Sequence, residues 1–201
     1  MKDYFANCNL CPRNCGSNRN KNNSGFCQMG SSIKVSLASV HFYEEPPISG
    51  TNGSGTIFFS GCHLKCIFCQ NYNISSEGFG KEITVERLSE IFLEQQLRNV
   101  HNINLVSATH FTPLVCRALK MAKNNGLYLP IVWNSSGYES IETLKMLEGL
   151  IDIYLPDIKY FDSNMAIEYS KAPNYFNIAT DALSEMIKQT GEAKFDENGI
   201  M

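Results

Sequence analysis

Three cysteines, Cys62, Cys66 and Cys69, lie in the segment CHLKCIFCQN with the spacing Cys-x3-Cys-x2-Cys. A 4Fe–4S cube needs a ligand on each of its irons, so three thiolates leave one iron open to a small molecule. The segment directly follows an apolar run over 56–60, which predicts a strand. Barrel and open-sheet folds place their chemistry at the carboxyl ends of strands. The sequence therefore predicts an iron–sulfur site with one accessible iron.

A zinc site is the alternative use of the same cysteines. Structural zinc takes a fourth protein ligand, for which His63 and Cys116 are the candidates. Zinc ligands usually come as two short paired knuckles, and this triad lacks a second knuckle. A chain of this kind would be a zinc-stapled binding or scaffold protein without catalysis.

Four further cysteines, Cys8, Cys11, Cys15 and Cys27, occur within the first 30 residues. This segment is polar and is predicted to form almost no hydrophobic core of its own, so a bound metal is expected to hold it together. A structural zinc ion or an auxiliary iron–sulfur cluster would suit four thiolates. The eighth cysteine, Cys116, lies near the apolar face of a predicted helix and is expected to be a buried thiol.

The composition narrows the class of protein. With 201 residues, 43% of them hydrophobic, the chain can bury one sizeable core. The formal net charge is -3 and shows no basic stripe, so nucleic acid is not an expected partner. The sequence MKDYFANCNL lacks the apolar core of a signal peptide, and no apolar run is long enough to span a membrane. We expect a cytoplasmic protein whose cysteines serve metals or redox chemistry.

Short apolar runs alternate with amphipathic stretches, which predicts an α/β fold with a parallel sheet. Strands are predicted over 56–60, 103–107, 129–134 and 151–155. Helices are predicted after an N-cap at Thr84, from an N-cap at Thr112 to Gly126, over about 139–148 and over about 181–189. Three parts follow: a Cys-rich segment over 1–30, a lead-in strand and turn-rich connection over 31–55, and an α/β core over 56–201.

The cysteine spacing, with the aromatic Phe68 just before the third cysteine, resembles the CxxxCxφC signature of the radical S-adenosylmethionine (SAM) superfamily. The chain also resembles a group related to the pyruvate formate-lyase activating enzyme. This likeness lies in CPRNCGSNRNK, which together with Cys8 forms a CxxCPRxCG pattern, and in EEPPISG, GSGTIFFSGCHLKCIFCQN, NINLVSATH and DIYLPDIKY. The resemblance implies a partial barrel of six strand–helix units. Four are recognisable, so we expect a chain that is either truncated at its C-terminus or naturally short.

The resemblance also implies an activity. It implies a 4Fe–4S cluster that binds SAM, cleaves it reductively to a 5'-deoxyadenosyl radical and so abstracts hydrogen from a glycyl-radical enzyme or another substrate. A one-electron donor of the flavodoxin or ferredoxin type is the implied partner. Phe68 is expected near the adenine. Asp157 and Lys159 match a D-x-K pair that contacts SAM in activating enzymes.

Other strand-end residues are candidates for the same site. After the second strand, activating enzymes carry Gly-Gly-Glu, whereas this chain has Ser-Ala-Thr-His, and Thr109 is the expected substitute acceptor for the SAM ammonium group. Asn134 and Ser136 follow the third strand and are expected to contact SAM. His110 and Tyr138 are expected to touch substrate, although a lone histidine is more often simply hydrogen-bonded.

Overall fold

The computed structural model of the chain describes residues 3–21 and 25–201. Its strands form one mixed sheet and are β1 (Ile33–His41), β2 (Ser54–Phe59), β3 (Lys81–Ile83), β4 (Ile103–Val106), β5 (Ile131–Ser135) and β6 (Ile153–Pro156). The order is β3-β1-β2-β4-β5-β6, so the sheet is open, with β3 and β6 at its edges. Strands β2, β4, β5 and β6 are parallel, and β1 is antiparallel to both its neighbours. The predicted α/β class is confirmed, and the four predicted strands are the parallel ones.

The α-helices of the described residues are α1 (Pro46–Ser49), α2 (Tyr72–Ser75), α3 (Val85–Gln96), α4 (Thr112–Asn124), α5 (Ile141–Leu147), α6 (Ser163–Ser170) and α7 (Tyr175–Thr190). Helix α3 begins as predicted, because the Thr84 hydroxyl accepts the backbone N–H of Arg87. The predicted cap of α4 is wrong. Thr112 is its first helical residue, and its hydroxyl donates to the Thr109 carbonyl over 2.7 Å. No helix in the described ranges is both long and apolar enough to cross a membrane.

Two helices differ from expectation near the C-terminal end of the described chain. Helix α7 begins at Tyr175, six residues before the predicted start, and buries Tyr175, Ala179, Ala182 and Met186 at helical spacing. Small alanines made this stripe weak in the sequence. Helix α6 was not predicted. It starts after Asp162, whose carboxylate accepts two backbone N–H groups of the first turn.

The period of two along the strands separates two faces of the sheet. One face packs with the helices in the main core, which includes Ile57, Phe59, Ile103, Leu105, Ile131 and Trp133 of the strands and Leu88, Phe92, Val115, Leu119 and Leu144 of the helices. On the other face, Val132 and Ile153 pack with Ile48. This second face leads to the site described below, because Phe58, Val106 and Asn134 lie on it.

The N-terminal segment has buried side chains, contrary to expectation. Phe5, Cys8 and Leu10 form a small cluster with Leu114 and Met146 of α4 and α5. The hydroxyl of Thr143 donates to the Leu10 carbonyl over 2.7 Å. Residues 1, 2 and 22–24 of the predicted segment lie outside the described residues. The rest of the segment is held to the core by ordinary packing and hydrogen bonds.

Arg19 is the main polar anchor of this segment. Its side chain is buried, with 2% of the residue exposed. The guanidinium donates to the carbonyl oxygens of Met29 (2.9 Å), Gly30 (2.7 Å) and His110 (2.6 Å). It also lies 4.7 Å from the centre of the Phe5 ring. Carbonyl dipoles and an aromatic face therefore stabilise the buried charge and join the segment to the end of β4.

Candidate active site

The loop after β2 carries Cys62, Cys66 and Cys69, and all three line one cavity of about 360 Å³. The same cavity is lined by Phe68 from the loop, by Asn134, Ser135 and Ser136 at the end of β5, and by Asp157 and Lys159 after β6. Four parallel strands thus direct their carboxyl ends to one place. Cys62 and Lys159 are 97 residues apart in the sequence. The structure brings them together on one cavity with most of the other residues that are predicted for the site.

Each of the three sulfur atoms takes part in a hydrogen bond. Cys62 Sγ accepts the backbone N–H of Leu64 (3.3 Å), Cys66 Sγ accepts the Ser170 hydroxyl (2.9 Å), and Cys69 Sγ lies 3.2 Å from the Ser75 hydroxyl. Burial raises the pKa of Cys62 to about 11 and also raises that of Cys66. Both are neutral thiols at pH 7 until a metal displaces their protons. Sulfurs surrounded by donors are well suited to carry thiolate charge.

The C-terminal end of α6 holds the cysteine loop in place. The helix ends at Ser170 because Lys171 adopts a left-handed conformation (φ 54°). The last carbonyls of a helix have no partner within it. Here the carbonyls of Tyr169 and Ser170 accept the N–H groups of Ile67 (2.8 Å) and Lys65 (3.1 Å). The loop and the helix therefore satisfy each other's backbone.

A second support comes from the N-terminal segment. Arg13 donates from Nε to the His63 carbonyl (2.8 Å) and from Nη2 to the Ser170 carbonyl (3.3 Å). Its guanidinium also stacks 3.8 Å from the centre of the Phe26 ring. Arg13 thus connects the Cys-rich segment, the cysteine loop and α6.

Asp157 and Lys159 form an ion pair, with Lys159 Nζ 2.5 Å from Asp157 Oδ2. The Asp157 side chain is 61% exposed, so the pair contributes little to folding stability and is available to a ligand. The Tyr175 hydroxyl fixes the backbone around it. This hydroxyl accepts the Lys159 N–H (3.0 Å) and lies within donating distance of the carbonyls of Ser136 (2.6 Å) and Asp157 (2.8 Å).

Gly137 permits the close approach of these two strand ends. Its φ is +72°, and a Cβ there would lie 2.5 Å from the Asp157 carbonyl oxygen. We expect Gly137→Ala to lower the free energy of unfolding by about 1–3 kcal/mol, because the β6 end must shift. Gly149→Ala is the matched control, since Gly149 has a φ of +73° and nothing within 4 Å of its would-be Cβ. Urea unfolding measures both variants, and equal losses would contradict the role given to the close approach.

Three predicted residues are not on the cavity. Thr109 is fully buried, and its hydroxyl donates to Glu139 Oε1 over 2.6 Å. Burial raises the pKa of Glu139 to about 7. The Nε2 atom of His110 lies 2.8 Å from the carbonyl oxygen of Ser60. Burial lowers the pKa of His110 to about 3, so its ring is neutral. The 3₁₀ turn Thr109–Phe111 directs both residues into the core.

Tyr138 is the third predicted residue that does not line the cavity, whereas Ser107, which was not predicted, does line it. The Tyr138 hydroxyl donates to the Pro173 carbonyl (2.9 Å), and its ring stacks 5.8 Å from that of Tyr175. The interpretation of these side chains as contacts to SAM or substrate therefore lacks support from their positions. Ser107, in a left-handed conformation (φ 58°), lines the cavity instead. The position of Ser107 directly after β4 is the feature of the sequence that could have identified it as a residue of the site.

Neither candidate for a fourth zinc ligand lines the cavity. His63 has its Nε2 3.4 Å from the Ser136 hydroxyl, and burial lowers its pKa to about 4. Cys116 lies in the main core and donates to the Met146 carbonyl over 3.3 Å. Among residues 3–21 and 25–201, no three His, Cys, Asp or Glu side chains converge on the position of one metal ion. In a four-iron cube each thiolate binds a different iron, so the cysteine sulfurs lie farther apart than the ligands of a single metal ion.

The N-terminal cysteines occupy one region beside α4 and α5. Cys8 and Cys27 are buried, whereas Cys15 is exposed and accepts the Ser17 hydroxyl over 3.3 Å. Burial, with smaller effects from the neighbouring Cys27 and Cys8, raises the pKa of Cys11 to about 12. The segment therefore places its thiols close enough to influence one another electrostatically.

Residues 56–201 match the sequence model of the Radical SAM superfamily. This range is more than half of the chain and contains every residue that lines the cavity. The chain belongs to the radical SAM superfamily. Membership implies a 4Fe–4S cluster and SAM as the cofactors of this domain. The cavity suits both, because three thiols lie on one wall and the Asp157–Lys159 pair lies on another.

Two curated relatives, both uncharacterised proteins of Methanocaldococcus jannaschii, resemble this radical SAM chain. One is 33% identical over 184 residues, which cover 88% of this chain and 52% of the relative. The other is 26% identical over 181 residues, which cover 79% of this chain and 51% of the relative. The chain thus spans about half the length of the curated relatives it matches.

Proposed function

We propose that this radical SAM enzyme abstracts hydrogen from a substrate bound above the cysteine loop, and that the substrate is a glycine of a partner glycyl-radical enzyme. The observation that carries the chemistry is the single cavity that joins Cys62, Cys66 and Cys69 with Asp157 and Lys159. The glycine substrate is inferred from the segments that resemble the pyruvate formate-lyase activating enzyme group.

The roles follow from the chemistry of each side chain. Cys62, Cys66 and Cys69 hold three irons of the cluster and leave the fourth open. When bound, the cluster and SAM supply one-electron cleavage of the sulfonium bond and a carbon radical that abstracts hydrogen. Lys159 neutralises the methionine carboxylate of SAM, and Asp157 orients Lys159 or accepts from the SAM ammonium group.

Polar and aromatic neighbours complete the SAM site. Phe68 is 56% exposed and offers a ring face to the adenine. Asn134 and Ser136 present an amide and a hydroxyl from the adjacent strand end. Asn134 is itself oriented by Glu44, whose Oε2 accepts the Asn134 amide over 3.3 Å. These groups bind and orient SAM but take no part in electron transfer.

The test is anaerobic. Protein reconstituted with iron and sulfide, then reduced with dithionite, should release 5'-deoxyadenosine from SAM. Reduced protein, SAM and a candidate glycyl-radical enzyme should then give the electron paramagnetic resonance (EPR) signal of a glycyl radical. A flavodoxin or ferredoxin should replace dithionite. Absence of 5'-deoxyadenosine overturns the activity, whereas 5'-deoxyadenosine without a protein radical overturns only the substrate.

Lys159→Met should weaken SAM binding at least tenfold, because a charge-assisted hydrogen bond contributes about 1.5–3 kcal/mol. Stability should change by about 1 kcal/mol at most, since the Lys159 side chain is 24% exposed and its Asp157 partner is 61% exposed, so water screens the pair. Equilibrium dialysis with SAM and urea unfolding measure the two effects. Lys188→Met removes an exposed lysine that pairs with the largely buried Glu185 carboxylate on α7, and it is the control for charge. Equal SAM affinity in the two variants would contradict the role of Lys159.

The N-terminal cysteines are proposed to hold a second metal centre. The support is the spacing of Cys8, Cys11, Cys15 and Cys27 and their shared region in the fold. Replacement of Cys62, Cys66 and Cys69 by alanine isolates that centre. About four irons per chain in this variant would identify a 4Fe–4S cluster, and about one zinc would identify a structural ion. Metal-free protein after both reconstitutions would refute the proposal.

A further inference from the structure

Ser170 lies far from the cysteine loop in sequence yet contacts it directly. It is the last residue of α6 and is fully buried. Its hydroxyl donates to Cys66 Sγ over 2.9 Å, across a sequence separation of 104 residues. Of the hydrogen-bond partners that the described residues provide to the three cysteine sulfurs, it is the one supplied by a distant element of the fold. The other two are the Leu64 backbone and Ser75, which lie close in sequence to their cysteines.

Tyr160 fixes the direction of this hydrogen bond. The Tyr160 hydroxyl lies 2.6 Å from Ser170 Oγ. A serine hydroxyl has one hydrogen, which here goes to Cys66, so Tyr160 must donate to the serine oxygen. The Tyr160 ring packs edge-on against Tyr175, with 5.4 Å between the ring centres. Two hydroxyl groups in series thus end on the Cys66 sulfur.

The backbone of Ser170 is held as firmly as its side chain. Its carbonyl accepts the N–H of Lys65 (3.1 Å) and the Arg13 guanidinium (3.3 Å). The serine therefore cannot swing away from the loop without breaking contacts to two other parts of the chain. A donor held in this way is already oriented before any cluster binds.

Hydrogen bonds to cluster sulfurs are one of the determinants of cluster reduction potential. A donor stabilises negative charge on sulfur, and the reduced cluster carries one more negative charge than the oxidised cluster. We propose that Ser170, oriented by Tyr160, is a positioning residue that raises the reduction potential of the cluster held by Cys62, Cys66 and Cys69. This inference rests on the proposed function only in requiring a cluster at these cysteines.

The test is an EPR-monitored redox titration of the reconstituted enzyme without SAM. Ser170→Ala should lower the midpoint potential by about 59 mV, which is a tenfold fall in the ratio of reduced to oxidised cluster at a fixed potential. Tyr160→Phe should shift it in the same direction by a smaller amount. Ser170→Thr, which keeps the hydroxyl, should restore most of the potential. Ser163→Ala, an exposed serine on the same helix, is the matched control and should leave the potential unchanged.

Iron and sulfide contents separate tuning from loss of the cluster. A Ser170→Ala protein with full iron content and a wild-type potential would overturn the proposal. If Ser170→Ala cannot hold the cluster, Tyr160→Phe decides, and a wild-type potential in that variant is equally fatal. A shifted potential in a protein that never cleaves SAM would support the role of Ser170 and refute the proposed activity. The two failures are therefore distinguishable.

Discussion

Cys66→Ala should abolish the release of 5'-deoxyadenosine from SAM. Two protein thiols cannot hold the cube as three do, and the described residues that line the cavity include no other cysteine and no histidine. Folding should survive, because the change leaves one hydroxyl, that of Ser170, without its sulfur partner at a cost of about 1 kcal/mol. Anaerobic reconstitution, iron and sulfide analysis and chromatography of the SAM products measure the effect.

Cys116→Ala is the matched control for this loss. Cys116 is a buried cysteine of the main core and donates to the Met146 carbonyl, whereas Cys66 is partly exposed. Its variant should keep wild-type iron content and SAM cleavage while losing about 1 kcal/mol of stability. SAM cleavage that persists in Cys66→Ala would refute the assignment of the cluster to this loop.

Arg19→Met should lower the free energy of unfolding by about 3–5 kcal/mol. The methionine can fill the space against Phe5 but cannot donate to the carbonyls of Met29, Gly30 and His110. These acceptors would be left without a donor in a largely buried setting, and that is the main cost. Urea unfolding under anaerobic conditions measures the loss, and limited proteolysis should cut first within residues 3–30.

Arg117→Met tests whether the effect is specific to the buried site. Arg117 is exposed on α4, so its replacement should change stability by no more than about 0.5 kcal/mol. If Arg19→Met were as stable as Arg117→Met and equally resistant to protease, the anchoring role of the Arg19 guanidinium would be wrong.

The strand ends could be predicted because their signal is local. Apolar runs rich in Ile, Val and Leu predict buried parallel strands, and parallel strands place their carboxyl ends at one edge. Asp157 and Lys159 were predicted from their resemblance to the D-x-K pair of activating enzymes, and their place after a predicted strand agrees with a position near the cysteine loop. Strand-end reasoning failed for Thr109 and His110, because a 3₁₀ turn directs them into the core and leaves Ser107 on the cavity. The spacing of apolar residues in the sequence does not indicate such a turn.

The residues that support the site were beyond prediction for another reason. Helix α6 has eight residues and a weak apolar stripe, so nothing in its sequence marks Ser170 as a partner of Cys66. Arginine in a polar stretch is normally exposed. Arg19 is buried because the chain around Met29 and Gly30 folds over it and because the carbonyl of His110, which is distant in sequence, accepts its hydrogen bond.

The hydrogen bonds from Lys65 and Ile67 to the end of α6 have a consequence for the order of events during synthesis. The cysteine loop leaves the ribosome about a hundred residues before its backbone partners. Until residue 170 has been made, the loop lacks the contacts that give it its final shape, and its thiols are open to oxidation and to stray metals. A cluster delivered to the loop before residue 170 has been made would therefore meet thiols that lack these backbone contacts.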